Sequence, residues 1–215
     1  QRSEYTTHVI TCRLRAAVTL LVVTWACAAL GASCRPAERL SGPVSGLPPY
    51  RPRVEVEPRR PVAHWEADTL ELSFVGDIMA HRVNFETAPL SRIYAGVAPF
   101  LQSDDASFGN LEFTVDPERP YSTYPRFNVH PEYVAAAVTG GFDIFSLANN
   151  HSTDFGRESI VRTRASLREL AANHGVSAAG LKERPDEPIG VASIDVAGWR
   201  LGFIAVTLFV NDPSR

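Results

Sequence analysis

Three short apolar segments in this sequence each run straight into a cluster of polar, metal-competent side chains, and this repetition limits the fold more than any other feature. Leu70-Glu-Leu-Ser-Phe-Val75 stops at Gly76-Asp77, Ala106-Ser-Phe108 at Gly109-Asn110-Leu111-Glu112, and Phe142-Asp-Ile-Phe-Ser-Leu147 at Asn149-Asn150-His151. Apolar runs of this length bounded by turn residues read as buried strands. Helical patterns lie between them. Residues 83–101 are predicted as a helix. Pro131 suits a first helical turn, and Gly140-Gly141 suits its end. Residues 157–173 place Ile160, Thr163, Leu167, Leu170 and Ala171 on one face, with Gly175 as the C-terminal cap. Residues 176–179 read as a short strand, and 191–196 with 200–206 as a hairpin turning at Ala197-Gly198-Trp199. Strands alternating with helices predict an α/β layered domain over residues 68–215.

The first 67 residues have a different character. Residues 16–33, AAVTLLVVTWACAALGAS, are apolar and preceded by Arg13 and Arg15. A basic flank, an apolar stretch and small residues follow the order of a secretory signal. The run also reaches the length of about 18 residues at which an uncleaved anchor becomes feasible. Cys34 after Gly31-Ala32-Ser33 is similar to a lipoprotein signal, although Gly31 stands where Leu is usual. Residues 1–34 are thus expected to be a signal peptide, a membrane anchor or a lipoprotein signal, which places the protein at the cell envelope with the bacterial membrane as a partner. Residues 35–67 contain prolines at 36, 43, 48, 49, 52, 58 and 61 among Arg and Glu, and read as an extended linker. All three cysteines, Cys12, Cys27 and Cys34, fall in the first 34 residues, so the predicted domain has neither a disulfide framework nor a thiolate metal site. A net charge of −3 gives no reason to expect a nucleic-acid partner.

In open α/β sheets, sites form outside the carboxyl ends of the strands. The fold would therefore gather Asp77, Asn110, Glu112, Asn150 and His151 at one edge. Carboxylate, amide oxygen and imidazole suit Mn, Fe, Zn or Mg, and a pair of such ions can clamp a phosphoryl group and activate water. Each residue also has a plainer use. Asp77 can cap a helix, Asn149 and Asn150 can serve turns, and Glu112 can be a solvated loop carboxylate. Asp154, before Phe155-Gly156, reads as the N-cap of the helix that follows. Convergence of three strand ends favours the site reading.

The series Phe74-Val-Gly-Asp-Ile-Met79, Gly109-Asn-Leu-Glu112, Gly141-Phe-Asp-Ile-Phe-Ser-Leu-Ala-Asn-Asn-His151 and Asp154-Phe-Gly156 resembles, in this order, CapA-domain proteins of the poly-γ-glutamate capsule synthesis family, relatives of calcineurin-like metallophosphoesterases. The likeness runs over about residues 70–208, and ANNHSTDFG is its most specific piece. It implies the N-terminal part of a four-layer αββα sandwich with a divalent metal centre. Carried over, Asp77 is similar to the first metal ligand. Asn110 stands where a bridging Asp is usual, with Glu112 as a nearby carboxylate, and Asn150 is similar to the Asn ligand. His151 is similar to the residue that stabilises the transition state or protonates the leaving group.

Two departures stand beside the likeness. Met79 occupies the position of a ligand His in other metallophosphoesterases, with His81 two residues on. The later histidine segments would follow a strand such as 201–206, and only His174 occurs beyond His151. The chain is thus expected to be the truncated first part of a longer protein. The resemblance implies synthesis, export or anchoring of poly-γ-glutamate, through a metallophosphoesterase-like hydrolase or an amide-ligase or transferase site. Its substrate would be an anionic polymer or a small phosphorylated or γ-glutamyl compound, which Arg119 and Arg126 in the loop 116–130 would suit. The departures favour the alternative of a non-catalytic envelope component, or an inactive fragment, with a degenerate metal site. A carbohydrate- or peptide-binding module fits less well, because it has no need of ligands converging from three strands.

Overall fold

The computed structural model describes residues 69–211, together with the backbone of two short strands, β1 (Ile10–Arg15) and β2 (Leu21–Val22). The remaining residues of the apolar run 16–33, and the linker 35–67, lie outside the described residues, as do the signal, anchor and lipoprotein readings made on them. Among the described residues no helix is long and apolar enough to cross a membrane.

The principal sheet has the order β1-β3-β4-β7-β8, built from β3 (Thr69–Ile78), β4 (Ala106–Leu111), β7 (Ile144–Ser146) and β8 (Ser177–Ala179) with β1 on its edge. Strands β3, β4, β7 and β8 pair in parallel, and β1 pairs antiparallel with β3, while the short strands β5 (Thr114–Val115) and β6 (Asn128–Val129) pair in parallel with each other apart from this sheet. Each successive parallel strand is added on the same side of the last. Right-handed crossovers then put all the connecting helices on one face. These helices are α1 (Arg82–Phe85), a 3-10 turn (Leu90–Tyr94), α2 (Ala98–Leu101), α3 (Pro131–Thr139) and α4 (Gly156–His174).

Side-chain alternation along the strands divides the interior in two. Ile78, Leu111, Phe113, Phe145 and Leu147 pack with Tyr94, Leu101, Val134, Ala137, Leu167 and Leu170 in a core under the helices. Leu70, Leu72, Phe74, Phe108 and Ile144 face the other way. They meet Ala192, Phe203, Ile194 and Leu201 of a second sheet, ordered β2-β10-β9, in which β9 (Ala192–Val196) and β10 (Trp199–Ile204) form a hairpin. Phe108 joins the layers, stacking on Phe74 at 4.5 Å between centroids and meeting the edge of Phe203 at 5.4 Å. Helices, parallel sheet and second sheet are three consecutive layers of the expected sandwich, so the α/β class read from the alternation of elements is the one observed.

Several boundaries differ from the sequence reading. Strand β3 does not stop at Gly76-Asp77. Its ladder with β4 slips between Phe74 and Asp77 and then resumes, pairing Asp77 with Asn110 and Ile78 with Leu111. The helix predicted over 83–101 is three short turns, because Pro89 and Pro99 have no N–H to give and each starts a new turn rather than continuing one. The hairpin turns on two residues: Ala197 and Gly198 both have positive φ, 48° and 83°, and Trp199 already pairs with Val196. Helix α4 ends as expected, at a left-handed Gly175 (φ 70°).

Candidate functional site at the carboxyl ends of three strands

Parallel pairing brings the carboxyl ends of β3, β4 and β7 to one edge. Asp77 is level with Asn110, and Asn110 with Ser146, just before the turns that carry Asn149, Asn150 and His151. Side chains pack tightly over β4 at this edge. A Cβ on Gly109 would lie 2.7 Å from Cε1 of Phe142, so glycine leaves room on the face of β4 for the Phe142 ring at the position before Asn110.

A chain of amides crosses the edge. Asn110 Nδ2 donates to Asp77 Oδ1 at 2.8 Å, and Asn149 Nδ2 donates to Asn110 Oδ1 at 3.2 Å and to the Leu111 carbonyl at 2.8 Å. The backbone N–H of His151 donates to Asn149 Oδ1 at 3.0 Å. Asn110 and Asn149 are buried, so this chain fixes both Asp77 and the start of the His151 turn.

Glu112 is buried close by and hydrogen-bonds Asp77. Burial, that hydrogen bond, and the charges of Asp77 and Asp154 push its carboxyl up to about 8. Its surroundings thus favour the protonated form of Glu112. Oε1 of Glu112 is 3.9 Å from Nε2 of His151.

His151 is held from its other nitrogen. Nδ1 lies 2.7 Å from Asp154 Oδ2, and the same oxygen accepts the Phe127 N–H at 2.9 Å. An Nδ1–H donated to Asp154 leaves Nε2 as the lone-pair nitrogen, on the side of Glu112. Phe127 closes the other flank, its ring edge-on to the imidazole at 4.7 Å between centroids. Phe127 is itself placed by the loop 116–130, which is tied down by Asn128. That buried amide accepts from Thr114 Oγ1 and the Asp116 N–H, and donates to the Asp116 carbonyl.

The sequence-predicted residues thus fall into two groups. Asp77, Asn110 and Glu112 meet directly, with His151 beside them. Asn150 turns instead toward Asn211, donating to its Oδ1 at 3.2 Å, and lines a cleft of about 340 Å³ together with Tyr124, Arg126, His151 and Asp154. Two contributors were missed. Asp154, read as a helix N-cap, lies one residue before that position, which is Phe155 without a side-chain bond, and Asp154 orients His151. Asn211, whose Nδ2 is 3.1 Å from His151 Nδ1, carries no local sequence signal.

Residues 71–215 match the family described as bacterial capsule synthesis protein PGA_cap. The chain belongs to this family. The capsule biosynthesis protein CapA of Bacillus anthracis is 32% identical over 118 residues, which cover 51% of this chain and 28% of that relative. The chain thus spans well under half the length of the curated relative it matches. Within the PGA_cap match lie all of the strand-end residues above. Membership carries the expectation of divalent metals. Among the described residues no three His, Cys, Asp or Glu side chains are grouped to enclose an ion. Asp77 and Glu112 nevertheless fit a cation in chemistry, being two carboxylate oxygen ligands set beside each other, where a positive charge would offset their mutual repulsion.

Proposed function

We propose that this chain is part of an envelope capsule-synthesis protein whose strand-end site performs a metal-assisted reaction at a phosphoryl or γ-glutamyl amide centre of an anionic substrate. The supporting observation is the convergence of Asp77, Asn110 and Glu112 at the strand ends, with Nε2 of His151 3.9 Å from Glu112 and its ring oriented by Asp154. Asp77 and Glu112 would hold a divalent cation. Bound there, Mn, Fe, Zn or Mg would offset negative charge building on a substrate oxygen. His151 presents Nε2 for giving or taking a proton at the attacking or leaving group, and Asp154 keeps the ring in that tautomer. Asn110 and Asn149 hold the Asp77 carboxylate in place. An anionic polymer such as poly-γ-glutamate, or a small phosphorylated or γ-glutamyl compound, is the substrate class. The apolar run 16–33 would attach the protein to the membrane, as an anchor or a lipoprotein.

The test is turnover of a phosphoester and of an oligo-γ-glutamate by the purified chain, each supplied with Mn, Fe, Zn or Mg. Metal-dependent turnover that falls about 100-fold or more in His151→Asn is expected. No turnover of either substrate in folded, metal-supplied protein rejects the enzyme reading.

A second reading, a non-catalytic envelope component, is favoured by Asn110 and Asn150. Both amide ends of Asn110 are engaged by neighbours, and Asn150 bonds Asn211 rather than Asp77. That reading predicts polymer binding without turnover, unaffected by His151→Asn.

A further inference from the structure

Two arginines of the loop 116–130 stack on one ring. The guanidinium carbons of Arg119 and Arg126 each lie 5.1 Å from the centroid of Phe155. Their other contacts differ sharply. Arg119 Nε donates to Asp116 Oδ2 and to Ser159 Oγ, both at 3.0 Å, and its Nη2 is 3.9 Å from Glu158. Its charge is already answered within the protein. Arg126 has no carboxylate partner among the described residues, and it lines the cleft that contains His151 and Asn150. Among the described residues, Asp154 is the only acidic residue lining that cleft. It is buried, and its Oδ2 already takes N–H bonds from His151 and Phe127.

We propose that Arg126 is the anion-binding group of this cleft, receiving a carboxylate or phosphate of the substrate alongside His151. This rests on the proposed function, in which His151 is the reacting group, and adds a substrate-recognising residue to it. A guanidinium presents parallel N–H donors that match two oxygens of a carboxylate or phosphate. Stacking on Phe155 orders the fork in advance, so less freedom is lost when an anion binds. The neighbouring Tyr124 and Asn150 leave room for neutral parts of a chain that extends beyond the anionic group.

The experiment is calorimetric titration of the whole chain, with a chelator present, using tetra-γ-glutamate and inorganic phosphate as separate probes. Arg126→Gln and Arg126→Lys are titrated beside the wild type. Arg126 is exposed, and an unchanged melting curve shows that each variant folds. The wild type is expected to bind at least one probe, Arg126→Gln about ten-fold more weakly, and Arg126→Lys in between. Tighter binding of tetra-γ-glutamate identifies a polymer carboxylate as the natural anion, and tighter binding of phosphate identifies a phosphoryl group. Wild-type protein that binds neither probe, or an Arg126→Gln variant that binds as the wild type does, overturns the proposal. Because the readout needs neither metal nor turnover, binding through Arg126 without any turnover would reject the enzyme reading and keep this one.

Discussion

Nδ1 of His151 lies 2.7 Å from Oδ2 of Asp154, three residues further along the same turn. The bond joins two buried groups, and the same carboxylate oxygen also holds the Phe127 N–H. Asp154→Ala would leave both donors without a partner. A loss of about 2–4 kcal/mol is expected, read as a lower urea midpoint. Asp154→Asn keeps an acceptor oxygen and should lose less. If the chain turns over a substrate, both variants should lower kcat more than they raise KM, because a loosened imidazole affects the reacting step rather than substrate capture.

Gly109 is the second point at which the site depends on packing. An added methyl would meet Cε1 and Cδ1 of Phe142 at 2.7 and 2.9 Å, and Cδ1 of Ile78 at 3.1 Å. Phe142 is buried and has little room to retreat. Gly109→Ala should cost about 1–3 kcal/mol by thermal or urea unfolding.

Asp116 predicts how stability responds to acid. Its carboxylate is fully buried and bonded to Ser159 Oγ at 2.7 Å, Arg119 Nε at 3.0 Å and Arg162 Nη1 at 3.3 Å. Burial alone would raise its pKa. The hydrogen bonds from Ser159, the Glu118 N–H and Arg162, with the charge of Arg162, outweigh burial and leave it lowered. The unfolded chain therefore takes up this proton first as the pH falls. The stabilisation is complete above the unfolded carboxylate range, near pH 4, and is lost as the pH drops through the lowered folded value. Urea midpoints measured from pH 7 to pH 3 should fall in acid, and Asp116→Asn should flatten the acid end of that curve. Asp116→Ala should cost about 3 kcal/mol at pH 7, since it strips a buried partner from two arginines.

The layered fold and the strand-end cluster were legible because both follow from where apolar runs stop. A parallel strand buried on both faces is apolar along its length, and its carboxyl end is where polar side chains become affordable. That reasoning gathered Asp77, Asn110, Glu112, Asn150 and His151 at one edge without any knowledge of contacts, and of these Asn150 turns away to Asn211. It also marked Gly76-Asp77 as a stop. A ladder that slips and resumes cannot be seen in one strand's sequence, because the partner β4 supplies the bonds. The broken helix over 83–101 was legible in part, since Pro89 and Pro99 are breakers by chemistry. Asp154 was misread for a local reason. An acidic residue ahead of a helix usually caps it, but the turn from His151 folds the carboxylate back, with the Asp154 N–H bonded to the His151 carbonyl at 3.2 Å. The pairing of Asn150 with Asn211 joins positions 61 apart, and no local pattern encodes it.

Metal-dependent thermal stability of the chain, measured beside an Asp77→Ala, Glu112→Gln double variant, bears most directly on the strand-end site. A ligand that binds only the folded state raises the melting temperature, by the equivalent of about 2.7 kcal/mol at a hundred times its Kd. The expected result is near-stoichiometric uptake of Mn, Fe, Zn or Mg, with an upward shift that the double variant lacks although it folds. A folded wild type that takes up no metal and shows no shift, or a double variant that shifts equally, would contradict a cation site at Asp77 and Glu112.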